Sequence, residues 1–170
     1  MLAVGLGVLS AIPLLRGDGG GTQGTLVGKP APPIAADDLD GKRWTLGDGA
    51  GRVTWVNFWA TNCEPCRTEM PAMQRLADAY GDRLLVLGID WGESRASVED
   101  FVERYTIRYP ILLDPSLENF YRWSAREGLP RHYFVDDRGV VVREVIGPLA
   151  PGRMLGIVEG LLGTPPATRN

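Results

Sequence analysis

Residues 53–66 read VTWVNFWATNCEPC, a stretch that predicts a buried strand followed at once by a helix with two thiols at its start. Residues 53–59 are uncharged and rich in β-branched and aromatic side chains, which is typical of a strand buried on both faces. Beyond the second cysteine, apolar residues recur at helical spacing until Gly81, where the pattern ends. The junction between strand and helix therefore falls at or just before Cys63.

Cys63 and Cys66 are the only cysteines of the chain, and their spacing allows a disulfide to close and open reversibly. At a helix N-terminus, unpaired backbone N–H groups and the helix dipole stabilise an anion, here the thiolate of Cys63. Cys66 lies one turn further in, and we expect its sulfur to be shielded from solvent. Cys63 is therefore expected to attack a target disulfide, and Cys66 to resolve the mixed disulfide.

Two structural roles for the cysteines are weaker explanations. A permanent disulfide over this spacing would close a very small loop and constrain the unfolded chain little. A zinc site needs about four ligands, and the sequence adds a single histidine, His132, to the two sulfurs. We expect His132 to be an ordinary histidine of the core or the surface. Reversible dithiol chemistry is the preferred interpretation.

Length and charge limit the possible classes of protein. A chain of 170 residues with 23% charged residues fits one domain with its own core. The net charge is −3, with acidic and basic residues interspersed, so the sequence offers no basic stripe. Nucleic acid is therefore not expected as a partner.

The rest of the chain alternates strand and helix patterns after a leading hairpin with the turn Asp40-Gly41. Strand, helix and strand around the cysteines predict a right-handed parallel crossover. The last two strands flank a turn at 136–139 and predict an antiparallel hairpin. The predicted strands after the cysteines are 84–90, 109–113, 132–135 and 140–146, and the predicted helices lie around 98–105, 117–121 and 154–161. The pattern indicates an α/β fold with a central mixed sheet flanked by helices.

Five features occur together in this pattern: VNFWAT at 56–61, the CEPC motif, Pro71 within the helix, Gly128-Leu129-Pro130 before a strand, and Asp40-Gly41-Lys42 in the hairpin. With these motifs, and a dithiol at the first strand-to-helix junction of such a sheet, the chain resembles the TlpA/ResA-like branch of the thioredoxin superfamily. The resemblance covers about Gly28 to Gly163 and implies a thioredoxin fold with an N-terminal β-hairpin extension. It also implies a thiol-disulfide oxidoreductase that reduces protein disulfides without a cofactor.

The resemblance also divides the chain. Residues 28–163 are expected to form the thioredoxin-like domain, and residues 164–170 a frayed C-terminal tail. Residues 1–16 are largely apolar and are expected to be a membrane anchor or the remnant of a signal-anchor, although about 20 residues are needed to span a bilayer as a helix. A plain apolar tail is the alternative. Residues 17–27 are a glycine-rich tether of the kind that an anchored domain needs.

Members of this branch are typically membrane-tethered and extracytoplasmic, and several reduce the haem-binding cysteines of apocytochromes c. The resemblance therefore implies a location in the periplasm or at the outer face of the cytoplasmic membrane. It implies a disulfide-containing client such as an apocytochrome c, an upstream membrane thiol donor, and a monomeric chain. One position departs from the pattern, because Asn62 stands where a tryptophan usually precedes the first cysteine, and this changes the surface that a client meets.

Glu69 shares a helix face with the dithiol, since it follows Cys66 by three residues and Cys63 by six. Asn57 occupies the position at which thioredoxins proper carry a buried, proton-transferring Asp, and an amide cannot titrate. The resemblance implies that Glu69 moves protons in its place. A solvated glutamate near the start of the helix is the alternative.

The expected client-binding residues are Trp59, Glu64, Pro65, Leu129 and Pro130. Pro130 resembles the cis-proline that faces the dithiol throughout the superfamily, which would let the Leu129 backbone pair with an incoming peptide. Trp59 is expected to pack beside the dithiol, with an ordinary core position as the alternative. The charge of Glu64 disfavours a thiolate on Cys63 and so favours a reducing couple, unless Glu64 is a plain helix-start carboxylate.

Two other activities are compatible with this fold. A peroxidase of the peroxiredoxin type shares it, but places its reactive cysteine in a different motif and pairs it with an arginine. A copper-delivery module would use both cysteines and a histidine as ligands, and the sequence has no further cluster of Met or His to support one. The adjacent second cysteine favours disulfide exchange.

Overall fold

The computed structural model describes residues 26–124 and 127–164. The predicted anchor at 1–16, the tether up to residue 25 and the tail from residue 165 lie outside the described residues. Within the described part of the chain, none of the helices has the length and apolar character needed to cross a bilayer.

The described residues form a two-stranded hairpin, a five-stranded mixed sheet and the helices that cover it. The large sheet has the strand order β5-β4-β3-β6-β7, with β3, β4 and β5 parallel and β6 and β7 antiparallel to their neighbours. The strands are β1 (Ala35–Asp37), β2 (Arg43–Thr45), β3 (Val53–Trp59), β4 (Leu84–Asp90), β5 (Ile111–Leu112), β6 (Arg131–Val135) and β7 (Val141–Ile146), and the α-helices are α1 (Glu64–Tyr80), α2 (Arg95–Tyr105), α3 (Glu118–Trp123) and α4 (Pro151–Leu162).

Two hydrophobic clusters lie on the two faces of the large sheet. One contains buried residues of α1, α2 and α4, and it includes Cys66. The other contains buried residues of α3 and of the β1-β2 hairpin. The predicted fold is confirmed: a thioredoxin-type mixed sheet flanked by helices, with an N-terminal β-hairpin.

The two central strands explain why the sequence pattern around the cysteines is so clear. Every residue of β3 and of β4 is buried, as expected for parallel strands covered on both faces. They pair in parallel from Val53 with Leu84 to Trp59 with Asp90, so α1 makes the predicted crossover. The same helix continues through Pro71 without a break.

The predicted strand at 109–113 is shorter in the structure, where only Ile111 and Leu112 pair with β4. Pro110 has no backbone N–H to donate to a ladder. The N–H of Leu113 donates instead to the carbonyl of Asp37 in β1, at 3.0 Å. This strand therefore ties the N-terminal hairpin to the edge of the large sheet.

Candidate active site

Cys63 is the N-cap of α1, as the sequence predicts. Its backbone is extended, with φ −85° and ψ 101°, and its Sγ accepts a hydrogen bond from the backbone N–H of Cys66 at 3.3 Å. Pro65 occupies the first turn, where the missing N–H of proline costs nothing. The sulfur therefore lies where the N–H groups and dipole of a 17-residue helix converge.

The two cysteines form a disulfide, with an S–S distance of 2.02 Å and a Cα–Cα distance of 5.3 Å. Cys63 is half-buried, whereas Cys66 has no exposed surface. Only the Cys63 sulfur is open to a partner from outside. This asymmetry agrees with the expected order of attack by Cys63 and resolution by Cys66.

Glu69 is buried one turn below Cys66, with 3% of its surface exposed. Its Oε2 accepts a hydrogen bond from the backbone N–H of Leu149 at 3.0 Å, and its Oε1 lies 3.2 Å from Nε2 of His132. The alternative of a solvated glutamate is therefore wrong. A buried carboxylate on the helix face of the dithiol is a suitable group for exchanging a proton with it.

Two polar residues of the buried strands β3 and β6 lie behind this carboxylate. His132 in β6 is completely buried and pairs in register with Asn57 of β3. Its Nδ1 accepts a hydrogen bond from Nε1 of Trp55 at 3.3 Å and lies 3.2 Å from Nδ2 of Asn57. The sequence analysis left the position of His132 open and gave it no role. The available signal was the presence of polar residues, Asn57 and His132 among them, in two strands that are buried throughout.

Tyr109 brings a second ionisable side chain close to Glu69. Its hydroxyl is buried and has no hydrogen-bond partner among the described residues. Burial, and then the charge of Glu69, raise the pKa of Tyr109 well above its ordinary value. The phenol therefore stays neutral beside the carboxylate.

The Leu129–Pro130 peptide bond is cis, in agreement with the resemblance. β6 begins at Arg131, which pairs with Phe58 near the end of β3. The residues before Arg131 therefore lie at the same end of the sheet as the loop that leads to Cys63. Leu129 is half-buried and Pro130 is buried.

Trp59 does not lie where a client could touch it. The side chain is 0% exposed, and its ring packs on Phe101 of α2 with 4.7 Å between ring centroids. The expectation that Trp59 binds a client directly is therefore wrong, because a large apolar side chain at the end of a fully covered strand is taken up by the core. It belongs to the same cluster as Cys66, so its contribution is to the support of the dithiol.

Glu64 and Pro65 remain at the surface between the cysteines. The Glu64 side chain is 72% exposed and forms an ion pair with Arg67 one turn further along α1. Arg67 offsets part of the charge that Glu64 places near Cys63. The influence of Glu64 on the thiolate is therefore smaller than the sequence alone suggests.

A pair of carboxylates that no sequence pattern predicted lies beside the loop that precedes Cys63. Glu93 accepts hydrogen bonds from the N–H and the hydroxyl of Thr61, at 2.6 and 2.5 Å. Asp90, fully buried at the end of β4, accepts one from the N–H of Glu93 at 2.8 Å. Burial, together with the nearby charge of Glu93, raises the pKa of Asp90 to about 7. Neither residue lies in a motif, so only the fold brings them to the dithiol loop.

The described residues contain no cluster of three or more His, Cys, Asp or Glu side chains arranged to hold a metal ion. His132 points its Nδ1 at Trp55 and Asn57 and its Nε2 at Glu69. Both ring nitrogens therefore face protein groups, so the histidine is not directed at the sulfurs as a third ligand.

Comparison with known proteins gives consistent similarities. A sequence profile of the AhpC/TSA family matches residues 27–144. Thiol-disulfide oxidoreductase ResA from Bacillus cereus is 31% identical over 134 residues, which cover 78% of this chain and 77% of ResA. Thioredoxin-like protein YneN from Bacillus subtilis is 34% identical over 131 residues and 75% of each chain. A solved thiol:disulfide interchange protein of the thioredoxin family from Chlorobium tepidum matches with a TM-score of 0.71 and 29% identity, over 79% of this chain and 96% of that one.

Proposed function

The chain belongs to the AhpC/TSA family and to the ResA-like thiol-disulfide oxidoreductases, and on that premise we propose that it works as a reductase of disulfides in exported proteins. Its enzyme class follows from the family and from the Cys63–Cys66 pair. The direction of electron flow, the clients and the location are the proposal.

The observation that carries the proposal is the unequal placement of the two sulfurs. Cys63 is partly open and caps α1, and its sulfur receives the N–H of Cys66. A thiolate at this place is stabilised by the helix terminus and by that N–H group, without needing a cationic side chain. Cys66 is completely buried, so its reaction is confined to the sulfur of Cys63.

The exchange then runs in two balanced steps. The Cys63 thiolate attacks one sulfur of the client disulfide, a mixed disulfide forms, and the other client sulfur leaves as a thiolate. Cys66 loses its proton and attacks the sulfur of Cys63, so that the Cys63–Cys66 disulfide forms and the second client sulfur leaves. Two electrons pass from the enzyme to the client, and the client thiolates take up two protons.

Glu69 is proposed as the base that accepts the proton of Cys66. Solvent cannot reach Cys66 in this structure, and Glu69 is the buried carboxylate that shares its helix face. Proton transfer to a positioned carboxylate speeds the second step because a thiol is a far weaker nucleophile than its thiolate. Asn57 cannot take this role.

The client is proposed to approach between the exposed start of α1 and the segment before β6. Glu64 and Pro65 border the reactive sulfur on one side, and Leu129 and Pro130 lie at the same end of the sheet. An extended client segment could pair there with the Leu129 backbone as an added strand. Asn62 is exposed on this surface, so it is expected to help select the client.

The proposed clients are exported proteins with a disulfide to be reduced, and apocytochromes c are the favoured class because of the resemblance to the ResA-like branch. The proposed location is the outer side of the cytoplasmic membrane, with residues 1–16 as the anchor and a membrane thiol donor that restores the dithiol. This part depends on the resemblance and on the apolar and glycine-rich composition of residues 1–27.

A kinetic comparison tests the reductase proposal against a peroxidase. The reduced protein is mixed in stopped flow with a disulfide-containing peptide or with hydrogen peroxide, and disulfide formation is followed by tryptophan fluorescence. We expect fast oxidation by the peptide and slow oxidation by peroxide, at a rate close to that of a free thiol. Fast oxidation by peroxide and slow oxidation by the peptide would replace the reductase with a peroxidase.

A further inference from the structure

His132 is the single histidine of the sequence, and the structure buries it completely in β6. Its ring lies between two polar groups. One side of the ring faces Trp55 and Asn57 of β3, and the other faces Glu69 of α1. A buried imidazole placed in this way joins the central strand to the carboxylate below the dithiol.

The hydrogen bonds at Nδ1 determine which nitrogen of the ring carries a proton. The indole Nε1 of Trp55 can only donate, and it points at Nδ1 from 3.3 Å. The amide orientation of Asn57 is fixed because its Nδ2 also donates to the carbonyl of Arg131 at 3.3 Å, and a carbonyl can only accept. Nδ1 therefore offers a lone pair, and the neutral ring carries its proton on Nε2.

The proton on Nε2 faces Glu69. Nε2 and Oε1 of Glu69 are 3.2 Å apart but are not aligned as a hydrogen bond, and neither atom has a hydrogen-bond partner in the described chain. The other carboxylate oxygen, Oε2, already accepts from Leu149. Glu69 therefore has one oxygen held by a backbone N–H group and the other 3.2 Å from the protonated nitrogen of the imidazole, an arrangement that suits a carboxylate.

We propose that His132 is a positioning residue for dithiol exchange, which holds the carboxylate of Glu69 in the orientation needed to take the proton of Cys66. This inference rests on the proposed role of Glu69. In the resolving step the proton passes from the Cys66 thiol to Glu69, the Cys66 thiolate attacks the sulfur of Cys63, and the bond from Cys63 to the client sulfur breaks. His132 keeps its own proton on Nε2 throughout.

Few other ionisable groups lie near Glu69 and His132 in the described part of the chain. The ionisable side chains near the pair are Cys66 of α1 and Tyr109, whose pKa is raised by burial and by the charge of Glu69. The guanidinium of Arg131, the neighbour of His132 in β6, is directed to the carbonyls of Glu127 and Gly128. The other neighbours that contact or pair with them do not titrate: Trp55 and Asn57 of β3, the backbone of Leu149, and Val145 of β7.

Dithiobis(nitrobenzoate) isolates the step in question. Attack by Cys63 releases one thionitrobenzoate and leaves a second bound to Cys63, and attack by Cys66 then releases that second one. Its release rate, measured against pH, reports the deprotonation of Cys66 because the leaving thiolate needs no proton. Two substitutions are compared: His132→Leu, which removes the N–H group, and His132→Gln, whose amide can still donate to Glu69. Each is made in two backgrounds, the parent protein with Glu69 and the Glu69→Gln variant.

With Glu69 present, His132→Leu should slow the second release about tenfold at neutral pH, because the Glu69 carboxylate loses the polar group that orients it toward Cys66. His132→Gln should restore most of the rate. In the Glu69→Gln background the two histidine variants should release the second thionitrobenzoate at the same rate.

A His132→Leu variant that slows both releases equally at every pH, or slows the second release equally in both backgrounds, would overturn the inference. If Glu69→Gln itself leaves the pH profile unchanged, the proposed role of Glu69 fails instead.

A measurement on the unmodified sequence guards against variants that do not fold. Because the chain has one histidine, protein labelled with ¹⁵N-histidine and purified without a histidine tag gives ring nitrogen signals from His132 alone. We expect an unprotonated Nδ1 and a protonated Nε2 at neutral pH in both the disulfide and the dithiol form. A proton on Nδ1 in either form would contradict the inference.

Discussion

Glu93 holds Thr61 with both of its carboxylate oxygens, one on the backbone N–H at 2.6 Å and one on the hydroxyl at 2.5 Å. Thr61 belongs to the loop between β3 and Cys63, whereas Glu93 follows the end of β4. The two residues are 32 positions apart in the chain. The loop that delivers the reactive cysteine is therefore fixed from the neighbouring strand.

The first prediction concerns this contact. Glu93→Ala should lower the free energy of unfolding by about 1 to 2 kcal/mol, because two donors of a half-buried loop residue lose a charged acceptor. Glu93→Gln should recover most of the loss, since the threonine hydroxyl can turn to accept from the amide. Urea unfolding measures the free energy of unfolding of both variants.

Glu99→Ala, which removes an exposed ion pair of α2 with Arg95, serves as the control and should lower the free energy of unfolding by less than about 0.5 kcal/mol. Equal losses in Glu93→Ala and Glu99→Ala would mean that the Thr61 contact does not stabilise the loop.

The second prediction uses the raised pKa of Asp90, which is about 7 in the folded protein and 3.8 for an ordinary Asp. Between these values the folded state binds the proton more tightly than the unfolded state. Asp90 therefore lowers the free energy of unfolding as the pH rises from about 4 to about 7, by an amount on the order of 1 kcal/mol or more, given about 1.4 kcal/mol per pKa unit. Asp90→Asn should remove this contribution and make the protein relatively more stable above neutral pH. Unfolding curves of variant and parent that stay parallel over that range would rule it out.

The third prediction concerns Glu69. Glu69→Gln should keep the fold, because the amide oxygen can still accept from Leu149, but it should slow the resolving step by about tenfold to a hundredfold and flatten its pH dependence. The second thionitrobenzoate release measures this step. Glu64→Gln is the matched control, since it removes an exposed carboxylate from the same helix, and it should leave the pH profile in place. An unchanged profile in Glu69→Gln would return Glu69 to a purely structural role.

The fourth prediction is that the Cys63–Cys66 couple is more reducing than a dedicated oxidant of this fold, which lies near about −120 mV. The residues between the cysteines include no Lys or His to stabilise a thiolate, and Glu64 opposes one. Because Arg67 offsets Glu64, Arg67→Gln should make the couple more reducing still, by roughly 10 mV at low salt. Equilibration in glutathione buffers measures both potentials. A dithiol that stays fully reduced in a buffer poised near the oxidant's potential would be inconsistent with a reductase.

Sequence patterns predicted those parts of the molecule in which one short segment contains all the information. The bounds of β3 and β4 follow from runs rich in β-branched, aromatic and aliphatic residues, and the N-cap position of Cys63 follows from the junction of a strand pattern with a helix pattern. Glu69 was found because helical spacing places it on the face of Cys66.

The contacts that the sequence did not predict all join separate segments. The approach of His132 to Glu69 depends on the register of β6 against β3 and on the packing of α1 over the sheet. The hydrogen bonds between Glu93 and Thr61 depend on the parallel pairing of β3 with β4. Trp59 was misjudged because its burial is decided by α2, whose Phe101 covers it, and no local pattern shows which helix covers the end of a strand.

The central claim is that Cys63 attacks the client and Cys66 resolves the mixed disulfide, and trapping of intermediates tests it most directly. Cys66→Ser and Cys63→Ser variants of the full chain are produced in a bacterial host, and exported proteins linked to each variant by a disulfide are separated under non-reducing conditions. We predict abundant mixed disulfides through Cys63 in the Cys66→Ser variant and few in the Cys63→Ser variant, because Cys63 is only half-buried whereas Cys66 has no exposed surface. More abundant mixed disulfides through Cys66, or faster alkylation of Cys66 than of Cys63 in the reduced protein, would contradict the account.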